Sequence, residues 1–232
     1  MHDFRHPVLL LHTLGASGET WADVIGADQS RFSAPDLPGH GMRRAEVFDT
    51  AKAVATCLKT GPRFHVAGSG LGAYVALEVC RAAPERVASL VLAGFPAAGG
   101  PERVEATAKA LQEQGVEGFA TSYMQNTLHP GGAGSREVFS RTFRAMRPEG
   151  LLSALAAALS WRLPESRRPA MVLRGEHDVR VGEEAARSLA ATLGADYVTL
   201  PLAGHVAYVD DPRGFREVLD AFHRATEAQE EH

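Results

Sequence analysis

The chain has 232 residues, 45% of them hydrophobic, which suits one domain with a sizeable core. Lys and Arg number 24 against 28 Asp and Glu, for a formal net charge of −4, so no basic excess points to nucleic acid. Cys57 and Cys80 both fall on expected helices and read as reduced core residues of a cytoplasmic protein, and no Cys/His/Asp spacing suggests a metal site.

In chain order, residues 8–11 read as a short buried strand and 18–25 as a helix carrying Trp21. The start lacks the charged and apolar regions of a signal peptide. Residues 31–34 form a strand that ends in the loop Pro35-Asp36-Leu37-Pro38-Gly39-His40-Gly41. Residues 50–58 are helical, 64–67 a strand, 71–82 a helix stopped by Pro84, and 87–93 an apolar strand. After residue 168 come a strand at 170–174, a helix at 181–193, a strand at 197–200 and a closing helix at 212–228. Short apolar runs alternating with helices mean parallel strands joined by right-handed crossovers. The expected class is α/β, with about six mostly parallel strands flanked by helices.

Between residues 96 and 168 the alternation stops. Helices are expected at 102–114, 116–125, 136–146 and 150–161, interrupted by His129-Pro130-Gly131-Gly132-Ala133-Gly134. The chain thus divides into a core, 1–95 and 169–232, and a helical lid, 96–168, over the carboxyl ends of the strands. Most of its aromatic residues read as lid-to-body packing at helical spacing, and Tyr123, Phe143 and Trp161 are the candidates for lining a pocket. The longest apolar run, 151–161, is too short to span a membrane. The tail from Glu227 is polar and expected to fray.

Gly68-Ser69-Gly70-Leu71-Gly72 follows a strand and opens a helix. That is the setting of the nucleophile elbow, G-x-S-x-G, with glycine at position 70 where the serine belongs. Ser69 sits one place early, where the turn aims it away from the attacking position. Gly68 and Gly72 flank the tightest point, and Gly70 suits a residue held at positive φ. A dinucleotide loop is a weaker reading, because the next strand ends without the acid that would hold a ribose. No Lys-Ser/Thr pair follows as in a P-loop.

Four further motifs follow in order. Leu9-Leu10-Leu11-His12-Thr13-Leu14-Gly15 resembles a strand and oxyanion loop written L-L-H-G. Asp36-Leu37-Pro38-Gly39-His40-Gly41 resembles D-x-P-G-x-G. Gly175-Glu176-His177-Asp178 resembles the G-x-x-D that carries an acid, and Gly204-His205 the G-H that carries a base. With the elbow, these make the chain resemble the α/β-hydrolase superfamily over nearly its whole length, in the manner of small lidded esterases, enol-lactonases and the menaquinone-pathway cyclohexadiene-carboxylate synthase.

The resemblance implies that Asp178 orients His205, that the other ring nitrogen faces position 70, and that the Leu14 and Leu71 N–H groups form an oxyanion hole. It implies no cofactor, and as partner a small carbonyl compound (ester, lactone or enolisable ketone), with the protein a monomer or homodimer. Thr13 and Ser69 join the candidate pocket residues. His12 and His40 read as loop-fixing residues, and His177 as a rim residue. The departures are Gly70, Thr13 in place of a glycine, and Arg43 in place of a small hydroxyl residue. Arg43, Arg144 and Arg147 read as solvated surface cations rather than carboxylate ligands.

Three functions remain open. One is an enzyme that uses His205 and Asp178 as general base without covalent catalysis. Another is a serine carboxylesterase or thioesterase inactivated by an engineered serine-to-glycine change at position 70, in which Gly70→Ser would restore esterase activity. The third is a non-catalytic receptor, against which the matched acid and base argue.

Overall fold

A strand covered by helices on both faces needs an unbroken apolar run rather than an alternating one. The strands β1 (Val8–Leu11), β3 (Phe64–Ser69) and β4 (Val87–Ala93) meet that condition and are buried at every residue. The structure, a computed structural model, describes residues 4–96, 100–165 and 167–230. Among the described residues, these strands join β2 (Phe32–Ser33), β5 (Ala170–Gly175) and β6 (Asp196–Leu200) in one sheet, ordered β2-β1-β3-β4-β5-β6. Every pairing is parallel, with Leu11 beside Gly68 and Ser69 beside Ala93 at the carboxyl ends. The strand order reverses beside β1 and β3, the place where open α/β sheets form a crevice.

The expected helix at 18–25 is two short pieces: a 3₁₀ turn at Gly18–Trp21 and α1 (Ala22–Ile25). Ser17 O accepts both the Thr20 N–H, at 3.1 Å, and the Thr20 hydroxyl, at 2.6 Å, which tightens the first turn. Trp21 is buried there, stacked 3.6 Å from the Tyr208 ring. The next helices are α2 (Thr50–Cys57) and α3 (Leu71–Ala82). Between β4 and β5 the chain forms α4 (Pro101–Gln125), α5 (Arg136–Arg144) and α6 (Pro148–Ala158). The break expected at residue 115 is a kink inside α4, where Gly115 has φ 66° and ψ 176°.

The helix α7 begins at Glu183 and runs to Leu193, later than expected, because the N–H groups of Arg180 and Val181 are engaged by the Asp178 carboxylate. A short helix that the sequence did not suggest, α8 (Ala207–Asp210), follows His205. The last helix, α9 (Pro212–Gln229), is capped by Asp211, whose carboxylate accepts from Gly214 N–H at 2.9 Å. The tail does not fray at Glu227. That residue is buried, and its carboxylate takes the N–H groups of Arg5 and His6 and meets His65 Nε2 at 3.1 Å; residues 231 and 232 lie outside the described residues. Cys57 and Cys80 are buried free thiols, and burial pushes the Cys57 thiol up to about 12. Among the described residues, no helix is long and apolar enough to cross a membrane.

Candidate active site

The elbow is built by close backbone approach. A Cβ on Gly68 would stand 2.2 Å from Gly72 O, and one on Gly72 only 2.1 Å from Leu11 O. Glycine at both places lets α3 press against β1 and β3. Between them, Gly70 turns the chain with φ 53° and ψ −109°, and its N–H donates to Ala93 O at 2.9 Å. An L-residue at such angles is strained by about 1–3 kcal/mol.

His205 stands on the loop between β6 and α8. Its N–H donates to Thr127 O at 2.8 Å, and the buried Asp210 carboxylate accepts from Gly204 and His129 N–H groups, each at 2.9 Å. Gly94, at φ 55°, passes beneath it; a Cβ there would lie 2.6 Å from His205 O. His205 Nδ1 lies 3.0 Å and 3.2 Å from the two Asp178 oxygens. Burial pushes the Asp178 carboxyl up, but the His205 ring and the N–H groups of Val181 and Arg180 outweigh it and hold it below its ordinary value. An ionised carboxylate only accepts, so Nδ1 carries the hydrogen, and in the neutral ring Nε2 is the nitrogen that bears the lone pair.

That lone pair faces the elbow. Nε2 is 3.9 Å from the point that a Cβ on Gly70 would occupy. The same point is 2.5 Å from Thr13 Oγ1, so the threonine hydroxyl fills space that a serine at position 70 would need. Thr13 is itself held by His12. Burial lowers His12 to about 4, keeping the ring neutral, so Nε2 accepts from Leu37 N–H at 3.1 Å while Nδ1 donates to Thr13 O at 2.9 Å. His40 is likewise buried and neutral, its Nδ1 3.1 Å from Pro38 O.

A cleft of about 440 Å³ of atom-free space, part of it open to solvent, lies over these groups. Thr13, Leu14, Gly70, Leu71, Gly94 and His205 line it from the sheet side. Tyr123, Ala154 and Leu155 line it from the helices between β4 and β5. Two further lining residues, Arg103 and Arg180, were not singled out in the sequence, although Arg180 lies two places after Asp178 and Arg103 in the first turn of α4.

Three expected pocket residues are not among those lining the cleft. Ser69 ends β3 with its side chain buried in the body, as the alternation of strand side chains demands. Phe143 is buried against Gly15, and its ring lies 5.0 Å from Tyr123, which it supports from behind. Trp161 sits edge-on to Phe95, with ring centroids 5.2 Å apart. His177 stacks on His129 at 4.5 Å. Arg43 is clamped by both Glu46 oxygens at 2.8 Å, and Arg144 donates to Glu117 at 2.8 Å.

The profile of the alpha/beta hydrolase family matches residues 8–218. The chain is 26% identical to the dihydrolipoyllysine-residue acetyltransferase component of the acetoin cleaving system of Pseudomonas putida, over 94% of this chain and 63% of that protein, so it spans less than two thirds of that relative. It is 27% identical to the pimeloyl-[acyl-carrier protein] methyl ester esterase of Nitrosomonas europaea, over 92% of this chain and 94% of that one. The crystal structure of the enol-lactonase from Burkholderia xenovorans LB400 superposes with a TM-score of 0.79 at 22% identity, covering 94% of this chain and 91% of that chain, a likeness of fold. With the profile spanning β1 to α9, this chain belongs to the alpha/beta hydrolase family.

Proposed function

We propose that the protein is an enzyme acting on a small carbonyl compound, an ester, lactone or enolisable ketone, without a serine nucleophile. His205 and Asp178 serve as its general base, and the Leu14 and Leu71 N–H groups as its oxyanion site. The observation that carries this reading is the empty-handed elbow: the lone pair of His205 faces position 70, while Thr13 Oγ1 takes the space of the side chain that is absent there. The fit of Thr13 to Gly70 favours a site adapted to glycine over a hydrolase that has merely lost its serine. The Nitrosomonas europaea relative is named as a methyl ester esterase and the Burkholderia structure as an enol-lactonase, which supports a carbonyl substrate.

His205 Nε2 takes a proton from water, or from a C–H or O–H of the substrate. Asp178 stabilises the imidazolium and fixes its tautomer. Leu14 and Leu71 both line the cleft, and neither backbone N–H has a protein acceptor among the described residues. Their donors, with the positive end of α3 behind Leu71, suit an oxygen that gains negative charge. Such a base contributes about 10²–10⁴ in rate and each oxyanion donor about 10²–10³. The helices between β4 and β5 act as a lid that excludes water from this charge.

The test is turnover of small lactones and activated esters by purified variants, with circular dichroism as the folding control. His205→Ala is expected to lower kcat by about 10²–10⁴. Asp178→Asn is expected to lower it steeply as well, by favouring the wrong tautomer. Unchanged turnover in a well-folded His205→Ala protein would remove the catalytic reading.

A further inference from the structure

Two departures from the family motifs, Gly70 and Thr13, line the cleft together. Thr13 is almost wholly buried, and its Oγ1 stands 2.5 Å from the point where a Cβ on Gly70 would be. His205 Nε2 stands 3.9 Å from the same point, so the hydroxyl and the base share one neighbourhood over Gly70. The loop after β1 fixes the threonine. Thr13 O accepts from Ala16 N–H at 3.2 Å and from His12 Nδ1 at 2.9 Å, and a β-branched side chain has few rotamers. Among the described residues the hydroxyl meets no protein hydrogen-bond partner, and no hydrogen bond joins it to Nε2.

A side chain that only filled this space would do better without the oxygen, because valine has nearly the same shape and no polar atom to desolvate. A nucleophilic hydroxyl would be hydrogen-bonded to its base. The arrangement suits a third role. A neutral Nε2 accepts one hydrogen of a water, and Thr13 Oγ1, with two lone pairs, accepts the other. With both hydrogens held, a lone pair of the water is left for a carbonyl carbon, and the attack is oriented before it begins.

We propose that Thr13 Oγ1 and His205 Nε2 together hold the attacking water, so that the site hydrolyses an ester or lactone by direct attack, without an acyl-enzyme. This rests on the reading of His205 as general base and narrows it to hydrolysis. The water oxygen bonds to the carbonyl carbon as its proton passes to Nε2. The C=O electron pair moves onto the oxygen held by the Leu14 and Leu71 N–H groups. That pair then returns, the bond to the leaving oxygen breaks, and the leaving oxygen takes the proton from Nε2. The products are a carboxylic acid and an alcohol, joined in one hydroxy acid where the substrate is a lactone, and the base ends neutral as it began.

The probes are p-nitrophenyl acetate, read by released nitrophenolate, and δ-valerolactone, read by released acid, with circular dichroism as the folding control. Thr13→Val, which keeps the shape and loses the oxygen, is expected to lower kcat about tenfold or more, with KM within about twofold. Thr13→Ala repeats the measurement with a smaller side chain. Thr13→Ser, which restores the oxygen, is expected to recover most of the loss. In a His205→Ala background, Thr13→Val should lower turnover no further, because the water is no longer held by a pair. Acid quench during turnover, followed by intact-mass analysis, should show no acetyl adduct.

Full turnover in Thr13→Val and Thr13→Ala would overturn the role of the hydroxyl. So would a loss in Thr13→Ser as large as in Thr13→Val, or a Thr13→Val effect undiminished by His205→Ala. An acetyl group on Thr13 would overturn it too, and make the threonine the nucleophile. A parent chain that turns over neither probe overturns both readings. Otherwise the two fail in different ways. Full turnover in both threonine variants beside lost turnover in His205→Ala leaves the base standing without the threonine, whereas full turnover in His205→Ala removes the base itself.

Discussion

At position 70 a missing side chain and its neighbour act as a pair. A serine there would bring its Cβ within 2.5 Å of Thr13 Oγ1, while Thr13 Cβ, at 3.5 Å, is at ordinary contact distance. The obstacle is thus the threonine hydroxyl, and moving it means rotating a buried β-branched side chain. The expectation that Gly70→Ser alone restores an esterase is therefore revised. Gly70→Ser should show little gain in p-nitrophenyl acetate turnover and a loss of stability of about 1–3 kcal/mol from the positive φ. Gly70→Ser combined with Thr13→Gly should gain turnover and react with a fluorophosphonate probe, giving a coupling between the two sites in a double-mutant cycle. Equal turnover in the single and double variants would show that Thr13 does not obstruct the elbow. Which residues form the turn was legible from the sequence, because strand, glycines and helix are neighbours in the chain. That Thr13 belongs beside this position was legible too, from the loop motif after β1; that its hydroxyl would fill the vacancy was not, because its direction depends on how the loop after His12 is tied down.

Among the elements, α4 reaches the cleft twice, with Arg103 before its kink and Tyr123 after it. Gly115 sets the angle between the halves in a conformation that only glycine adopts readily. Nothing lies within 4 Å of a Cβ built there, so a substitution meets no steric neighbour and its cost is conformational alone. Gly115→Ala is expected to lower the free energy of unfolding by about 1–3 kcal/mol, measured by urea denaturation. An unchanged midpoint would mean that α4 readily straightens. The break itself was readable, since a glycine within a helical pattern marks a weak point. The short helix α8 was not readable, because only five residues follow His205 before Asp211 and Pro212 redirect the chain.

Over the whole molecule, a buried polar cluster lies at the amino end of β3, away from the cleft. His65 meets Ser89 Oγ at 2.8 Å and Glu227 at 3.1 Å, and stacks 4.0 Å from His223. Arg31 lies 3.0 Å from His223 Nδ1 and 2.6 Å from Asp220. The cluster thus ties α9 to the sheet. Burial lowers His65 from 6.5 to about 4, and lowers His223 well below its ordinary value. Between those values the unfolded chain binds protons that the folded chain refuses, so stability is full above about pH 6.5 and falls as the pH drops toward 4. His12, lowered to about 4, and His40, lowered to about 3, act in the same direction. Each tenfold loss of proton affinity on folding is worth about 1.4 kcal/mol, so the expected loss of stability is several kcal/mol. Urea unfolding across this range should show it, with a shallower slope in His65→Gln; stability that stayed flat from pH 7 to pH 4 would contradict it.

The parallel α/β sheet is legible in the amino-acid order alone, because unbroken apolar runs and glycine-marked turns are local features that record burial and backbone angle. The amino-acid order also carried the family motifs, and the structure places His205 and Asp178 within 3.0 Å of each other. Which side chains meet at the cleft is settled by the folded arrangement. Ser69 turns into the body, Phe143 packs against Gly15 and Trp161 against Phe95, and Arg103 and Arg180 line the cleft from distant parts of the chain. Glu227 is buried because His65 and the N–H groups of Arg5 and His6 wait for it across the fold. One cause underlies all of these cases. Backbone conformation follows from neighbours in sequence, whereas the direction and partners of a long polar or aromatic side chain follow from packing that closes only when distant elements dock.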